Sequence, residues 1–174
     1  MKILVSLALL IFSALASAQS EITGAFGLSF GDVYNANQAT GERRLTDGTP
    51  ILSFKPDRVF ADFTAYFVLI TPTSSKIYGI WAMKASPNTS TCKKDQAVIQ
   101  SLLEKKYGEP DKQELMAALS DAITISQGPR AVMTKCSGLD DVTLEIRYND
   151  RDVASLAERE RIDIEASKLD ASGL

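Results

Sequence analysis

Cys92 stands in the first turn of the stretch "TSTCKKDQAVIQSLLEKKYGEP", with Lys93 and Lys94 directly behind it. A helix N-terminus and neighbouring cations both stabilise a thiolate, so this cysteine has the surroundings of a nucleophile. The chain holds one other cysteine, Cys136, and no histidine at all. A Ser-His-Asp or Cys-His arrangement is therefore impossible, and the commonest general base near neutral pH is missing. Zinc sites built on histidine are excluded with it. Carboxylates, lysines, tyrosines and the two thiols are what remain for catalysis. No C-x-x-C spacing supports a thioredoxin-type reaction. In an oxidising compartment two cysteines normally pair, and a Cys92–Cys136 bridge closing about 45 residues stabilises a fold by roughly 4 kcal/mol in the chain-entropy treatment. The disulfide is the stronger reading, and a reactive Cys92 is the alternative.

The other polar candidates carry weaker signals. Arg43 and Arg44 lie in a polar stretch and have the forked geometry that clamps carboxylate or phosphate, although solvated charge is the ordinary role of such a pair. Asp32 and Tyr34 precede that stretch and can line a site with it, or serve as a cap and a packed ring. The spaced glycines of "FGLSFGDVY" match neither a dinucleotide fingerprint nor a phosphate loop. Trp81, the single tryptophan, reads as core first and as a binding anchor second. Asp140-Asp141 reads as turn chemistry, and nothing draws two acids into one cleft. No cofactor and no metal site is expected. Asn88-Thr89-Ser90 is a glycosylation sequon, of consequence only in a eukaryotic host.

These residues sit on a chain that opens with an address. "MKILVSLALLIFSALASAQS" has Lys2, an uncharged run from Ile3 to Leu15, and Ala16-Ser17-Ala18 as the small-x-small pattern of a signal peptidase site. Cleavage is expected after Ala18, and the run is shorter than the ~20 residues that span a bilayer. An uncleaved anchor is the competing reading. The remainder, residues 19–174, is 156 residues long and suits one domain. Loss of Lys2 takes the 19 basic residues to 18 against 22 acidic ones, a net charge of −4. Such a chain offers no electrostatic footprint for nucleic acid or for an anionic membrane surface.

Hydrophobic periodicity supplies the elements. Phe26 to Phe30 reads as a short packed segment, and Tyr34 to Pro50 as a long polar loop, shortened if a helix starts near Asp32. Ile51 to Phe54 is a brief strand. "FADFTAYFVLIT" alternates Phe63, Ala65, Phe67 and Leu69 against Tyr66, Val68 and Ile70, and "KIYGIWAM" puts Ile77, Trp81 and Met83 opposite Tyr78 and Ile80. These two strands form a hairpin. Helix follows from Ser90 or Thr91, with Val98, Ile99, Leu102, Leu103 and Tyr107 inward and Gly108 as its stop. A short helix is expected around Leu115 to Leu119. "AITISQ", "RAVMTKC" and "VTLEIRY" are strands, the last alternating Val142, Leu144, Ile146 and Tyr148 with polar residues. A final helix runs through "DRDVASLAERERIDIEASKLD", with Val153, Leu156, Ala157, Ile162 and Ile164 inward. The fold class is α+β: an antiparallel sheet of five to six strands, two main helices on one face, and a hint of a duplicated ββα unit.

The phrases "FGLSFG", "YFVLITPTSSKIYGIWA", a cysteine followed by "LLEKKYGEP", then "LEIRYND" and "LDASGL" resemble a loose class of small exported bacterial proteins with no assigned activity. The resemblance implies export and an α+β fold, and brings no catalytic residue, ligand or partner. The functional expectation is a periplasmic or secreted, non-enzymatic protein that binds a protein or envelope component. Its surfaces would be the Tyr34–Pro50 loop or an uncovered sheet face or edge. An envelope enzyme or thiol redox protein using Cys92, and a small-ligand carrier with an apolar pocket between helix and sheet, are the alternatives.

Overall fold

The computed structural model describes residues 19–45, 49–112 and 121–169. The expected signal, residues 1–18, and the expected helix around Leu115 to Leu119 lie outside these. In chain order the elements are β1 (Gly24–Ala25), β2 (Leu28–Ser29), β3 (Gly41–Arg44), β4 (Pro50–Ser53), β5 (Ala65–Ile70), β6 (Ile77–Ala85), α1 (Thr89–Tyr107), β7 (Ile123–Gln127), β8 (Arg130–Ser137), β9 (Thr143–Asp150) and α2 (Arg151–Lys168). β1 and β2 make a small hairpin, and the rest form one sheet in the order β3-β4-β5-β6-β9-β8-β7, antiparallel throughout. Two runs of three strands, β4-β5-β6 and β7-β8-β9, are each followed by a helix and meet at β6 and β9.

Seven strands in the main sheet replace the expected five to six. The added strand is β3, inside the stretch expected to be loop, where Gly41 to Arg44 pair with Ser53 to Pro50. All four β3 residues are exposed, so no apolar alternation marks the strand in the sequence. Just before it, a short 3-10 turn (Ala36–Gln38) is capped by the Asn35 side chain, in place of a helix from Asp32.

Register gives the sheet two unlike faces. One cross-strand row runs Leu52, Val68, Ile80, Tyr148, Val132 and Ile125, and all six belong to the main core. The row on the reverse runs Ser53, Phe67, Trp81, Arg147, Met133 and Thr124. Neighbouring residues along a strand point to opposite faces, which is why the two rows differ so sharply. β6 breaks strict alternation at its start: Leu69 pairs with Gly79 while Ile70 pairs with Ile77, so Tyr78 is bulged. The bulge puts Ile77 with Ile80 in the main core and Tyr78 with Trp81 and Met83 on the reverse, correcting the faces expected for both. Phe63, expected beside Phe67, precedes β5 and packs in the main core instead.

Helix α1 lies on β7, β8 and β9. The side chain of Asn88, two residues before Ser90, the nearer of the two expected caps, accepts the Thr91 N–H at 2.8 Å. Gly108 ends the helix with φ 108°, a backbone that a side chain resists. The buried stripe is Cys92, Gln96, Ile99, Gln100, Leu103 and Tyr107, whereas Val98 and Leu102 are 63% and 49% exposed. The stripe is therefore rotated from the expected one and admits two glutamines. Gln96 Nε2 donates to the backbone oxygens of Asp121 (3.0 Å) and Thr134 (3.1 Å), and Thr134 Oγ1 donates to Gln100 Oε1 at 3.3 Å. The Cys92–Cys136 disulfide joins the same helix to β8, with Cα atoms 6.1 Å apart.

Among the described residues, α1 alone contributes helical side chains to the main core. Ala157, the one buried residue of α2, belongs to neither apolar cluster. Helix α2 lies against β6 and β9, and the N-terminal segment joins α1 in the main core through Ile22, Phe30 and Tyr34. Ile162, expected inward on α2, is exposed. α2 is held by polar contacts: Asp150 caps it and receives Arg130 Nε at 2.9 Å. Further along, Glu160 accepts the Thr73 and Ser74 N–H groups at 2.7 and 3.1 Å and the Ser74 hydroxyl.

Partial desolvation opposes ionisation of Glu160, but the Ser74, Thr73 and Thr71 hydrogen bonds outweigh it and hold its pKa below the usual carboxylate value. A lowered folded-state pKa means the tether is complete above the ordinary Glu range and is lost as pH falls through the depressed value. The Thr73 and Ser74 amide shifts should titrate with a midpoint below that of a free Glu, and Glu160→Gln should abolish the titration. A midpoint at or above the free value contradicts this tether.

Candidate functional site

The reverse face of the sheet holds a small buried cluster, Ile51, Phe67 and Leu69, with half-buried aromatic, sulfur-bearing and cationic side chains beside it. Trp81 on β6 and Arg147 on β9 are directly paired, and the guanidinium lies 4.2 Å from the indole centroid. Beyond Trp81 sits Phe67 on β5, with the Arg43 guanidinium 5.6 Å from its ring. Ala65 and Met83 extend the patch along the strands, and Met133 flanks Arg147 on β8. Trp81, Met83, Met133 and Arg147 are all half-buried. Trp81 is therefore a half-buried ring that packs against Ile51, Phe67 and Leu69 and carries a cation over its other side.

A buried carboxylate organises this patch. Glu145, 5% exposed, accepts the Arg147 Nε proton at 2.7 Å and the Ser137 hydroxyl at 2.7 Å. Its second ion-pair contact is to Arg147 Nη2. Arg147 is fixed from below by Glu145 and from the side by Trp81, so its guanidinium is already ordered before anything binds. The indole Nε1 lies 3.5 Å from Asn149 Oδ1. Stacking of this kind contributes about 0.5–2 kcal/mol, depending on desolvation.

The four residues expected to share a site are separated. Tyr34 is buried in the main core, and desolvation raises its pKa. Asp32 is exposed, and its backbone oxygen accepts the Ile77 N–H at 2.9 Å. Arg43 and Arg44 are neighbours on one strand, so alternation sends them to opposite faces and prevents a joint clamp. Arg43 reaches the Trp81 face through Phe67, while Arg44 donates to Glu42 at 3.0 Å and lines a cleft with α2. Of the expected set, only Arg43 belongs to the patch.

Cys92 and Cys136 are bonded to each other and neither is free. Cys92 is fully buried, so the helix mouth that favours thiolate presents no thiol in this state. Among the described residues no group of three or more Cys, Asp or Glu is arranged to hold a metal ion. No described helix is long and apolar enough to cross a membrane. Compared with known proteins, the chain matches no family description, no curated protein and no solved structure.

Sequence reasoning passed over Arg147 and Glu145 as the polar side of an alternating strand. The signal was present: the pairing of "KIYGIWAM" with "LEIRYND" places Arg147 opposite Trp81 once the sheet order is known. Because Trp81 is the only tryptophan, its fluorescence reports on the lid. Both Arg147→Ala and Glu145→Ala should increase acrylamide quenching of Trp81, the second by releasing Arg147. Unchanged quenching in Glu145→Ala is the result that removes the positioning role of Glu145.

Proposed function

We propose that this is an exported, non-enzymatic binding protein that engages a protein of the cell envelope through the Trp81–Arg147 face. The observation that carries the reading is the row Phe67, Trp81, Arg147 and Met133, an apolar and cationic stripe on the reverse face in which Phe67 is buried and the other three are half-buried. Tryptophan, arginine and methionine are enriched where protein partners bury surface, and tryptophan and arginine dominate binding energetics there. A guanidinium held in place before contact loses little freedom on binding.

Export is the second half of the proposal. It rests on the leader-like residues 1–18 and on a disulfide that cytosolic thiols would keep reduced. The same disulfide disfavours the thiol-redox alternative, since the bond is buried and no C-x-x-C partner exists to exchange with it.

Photo-crosslinking in the envelope tests the surface. Crosslinkers placed at Met83 and Met133 should yield one discrete adduct, and Trp81→Ala should remove it while shifting the melting temperature by only a few degrees. A crosslinker at Leu139, exposed on the β8–β9 turn, should give none. Equal adducts from all three positions, or none from Met83 and Met133, rule the face out as a docking surface.

A further inference from the structure

A second site lies on the other side of the sheet. Between α1, the β1–β2 turn and the 58–60 loop is a solvent-open cleft of ≈ 420 Å³. This is the volume range of small-molecule sites, ~300–1,000 Å³. Phe26, Phe60, Leu103, Tyr107 and Tyr148 line it. At its mouth Val59 and Leu102, from two separate elements, are 60% and 49% exposed.

The aromatic floor is ordered. Phe26 meets Tyr66 edge-on at 5.1 Å and Tyr148 at 5.9 Å between centroids, and Tyr107 meets Tyr148 at 6.3 Å. Phe26 adopts φ 53° in the turn, a conformation uncommon for a ring-bearing residue, with Gly27 at φ 88° beside it. Asparagine followed by glycine is the usual pair in such a turn. A phenylalanine there is explained by what its ring covers. The wall is braced by the Ser20 N–H, which donates to the Lys106 carbonyl at 2.8 Å.

Charge at the rim is one-sided. The lining includes Arg58 and Lys106 and no acidic residue, in a chain whose net charge is −3. Both side chains are exposed, and neither has an ion-pair partner among the described residues. Lys106 Nζ sits 4.8 Å from the Tyr107 ring centroid, over the edge of the aromatic floor. Burial, with Tyr107 beside it, holds the Tyr148 phenol protonated, so the floor offers a neutral hydroxyl and no anion.

We infer that this cleft binds a small amphiphile with one carboxylate and an apolar body, its carboxylate between Arg58 and Lys106 and its body against Phe26, Phe60 and Leu102. A guanidinium and an ammonium together select an anion over a neutral or cationic head group. The inference is independent of the Trp81 face, which lies on the opposite side of the sheet.

The test titrates the exported, disulfide-intact chain with decanoate below its micelle concentration, following the Val59, Leu102 and Leu103 methyl resonances. Saturable shifts confined to these methyls are expected, with decanol binding at least tenfold more weakly. Arg58→Gln with Lys106→Gln, two surface changes that leave the core intact, should weaken decanoate at least tenfold and leave decanol unchanged. The absence of saturable shifts overturns the inference. So does equal affinity for decanoate, decanol and decylamine, insensitivity of decanoate to the double substitution, or shifts centred on Trp81 and Met83.

Discussion

Helix α1 is fastened to strand β8 along a buried seam, and the layout of the molecule follows from where that seam runs. Cys92 and Cys136 supply its covalent end. One turn further on, Gln96 spends both of its amide protons on the Thr134 carbonyl and on the backbone of Asp121. Thr134 then passes its own hydroxyl proton to Gln100. Buried polar groups must be paired or they destabilise by about 1–3 kcal/mol each, and this chain of donors leaves no unpaired side-chain atom among the buried described residues. The arrangement fixes the helix in rotation as well as in place, because turning it would strand the glutamines. That rotation is what leaves Val98 and Leu102 facing outward.

A helix seated over β7, β8 and β9 covers only part of one face. The neighbouring part is closed by the N-terminal hairpin and by Phe60 and Phe63, which fill against Tyr66 and Ile77. Their meeting with α1 creates the aromatic cleft as a boundary between two separate covers. On the reverse, Ile51, Phe67 and Leu69 are buried, and Tyr78, Trp81 and Met83 pack half-buried against them. Arg147 and Arg43 lie over two of the rings and supply the charge that keeps such a face hydrated. The placement of α1 thus accounts for the aromatic cleft.

How far this was legible in the sequence depends on which signal each element carries. β9 was readable because Leu144, Ile146 and Tyr148 alternate with Thr143, Arg147 and Asn149, and burial follows that alternation except at Glu145, which is buried on the other face. The disulfide was readable from two cysteines behind an export-like leader. β3 was not, since "GERR" has no apolar residue and is a strand only through its pairing with β4. The start of β6 was misassigned because a bulge at Tyr78 resets the period, and a bulge is a property of the pair of strands. The glutamines of α1 were passed over for Val98 and Leu102, which have the better hydrophobicity but lack partners on β8. Arg43 and Arg44 looked like a clamp in sequence, and became two separate residues once they lay on a strand.

The central claim is that the half-buried Trp81, Met83 and Met133 are open to solvent in the isolated chain and covered in the cell envelope. Hydroxyl-radical footprinting of the same protein, purified and in place, addresses it directly, because tryptophan and methionine are readily oxidised side chains. Trp81, Met83 and Met133 should be oxidised in the purified protein and markedly protected in the envelope, while exposed Leu139 reacts equally in both. Equal oxidation of all four residues in the two settings would contradict the claim.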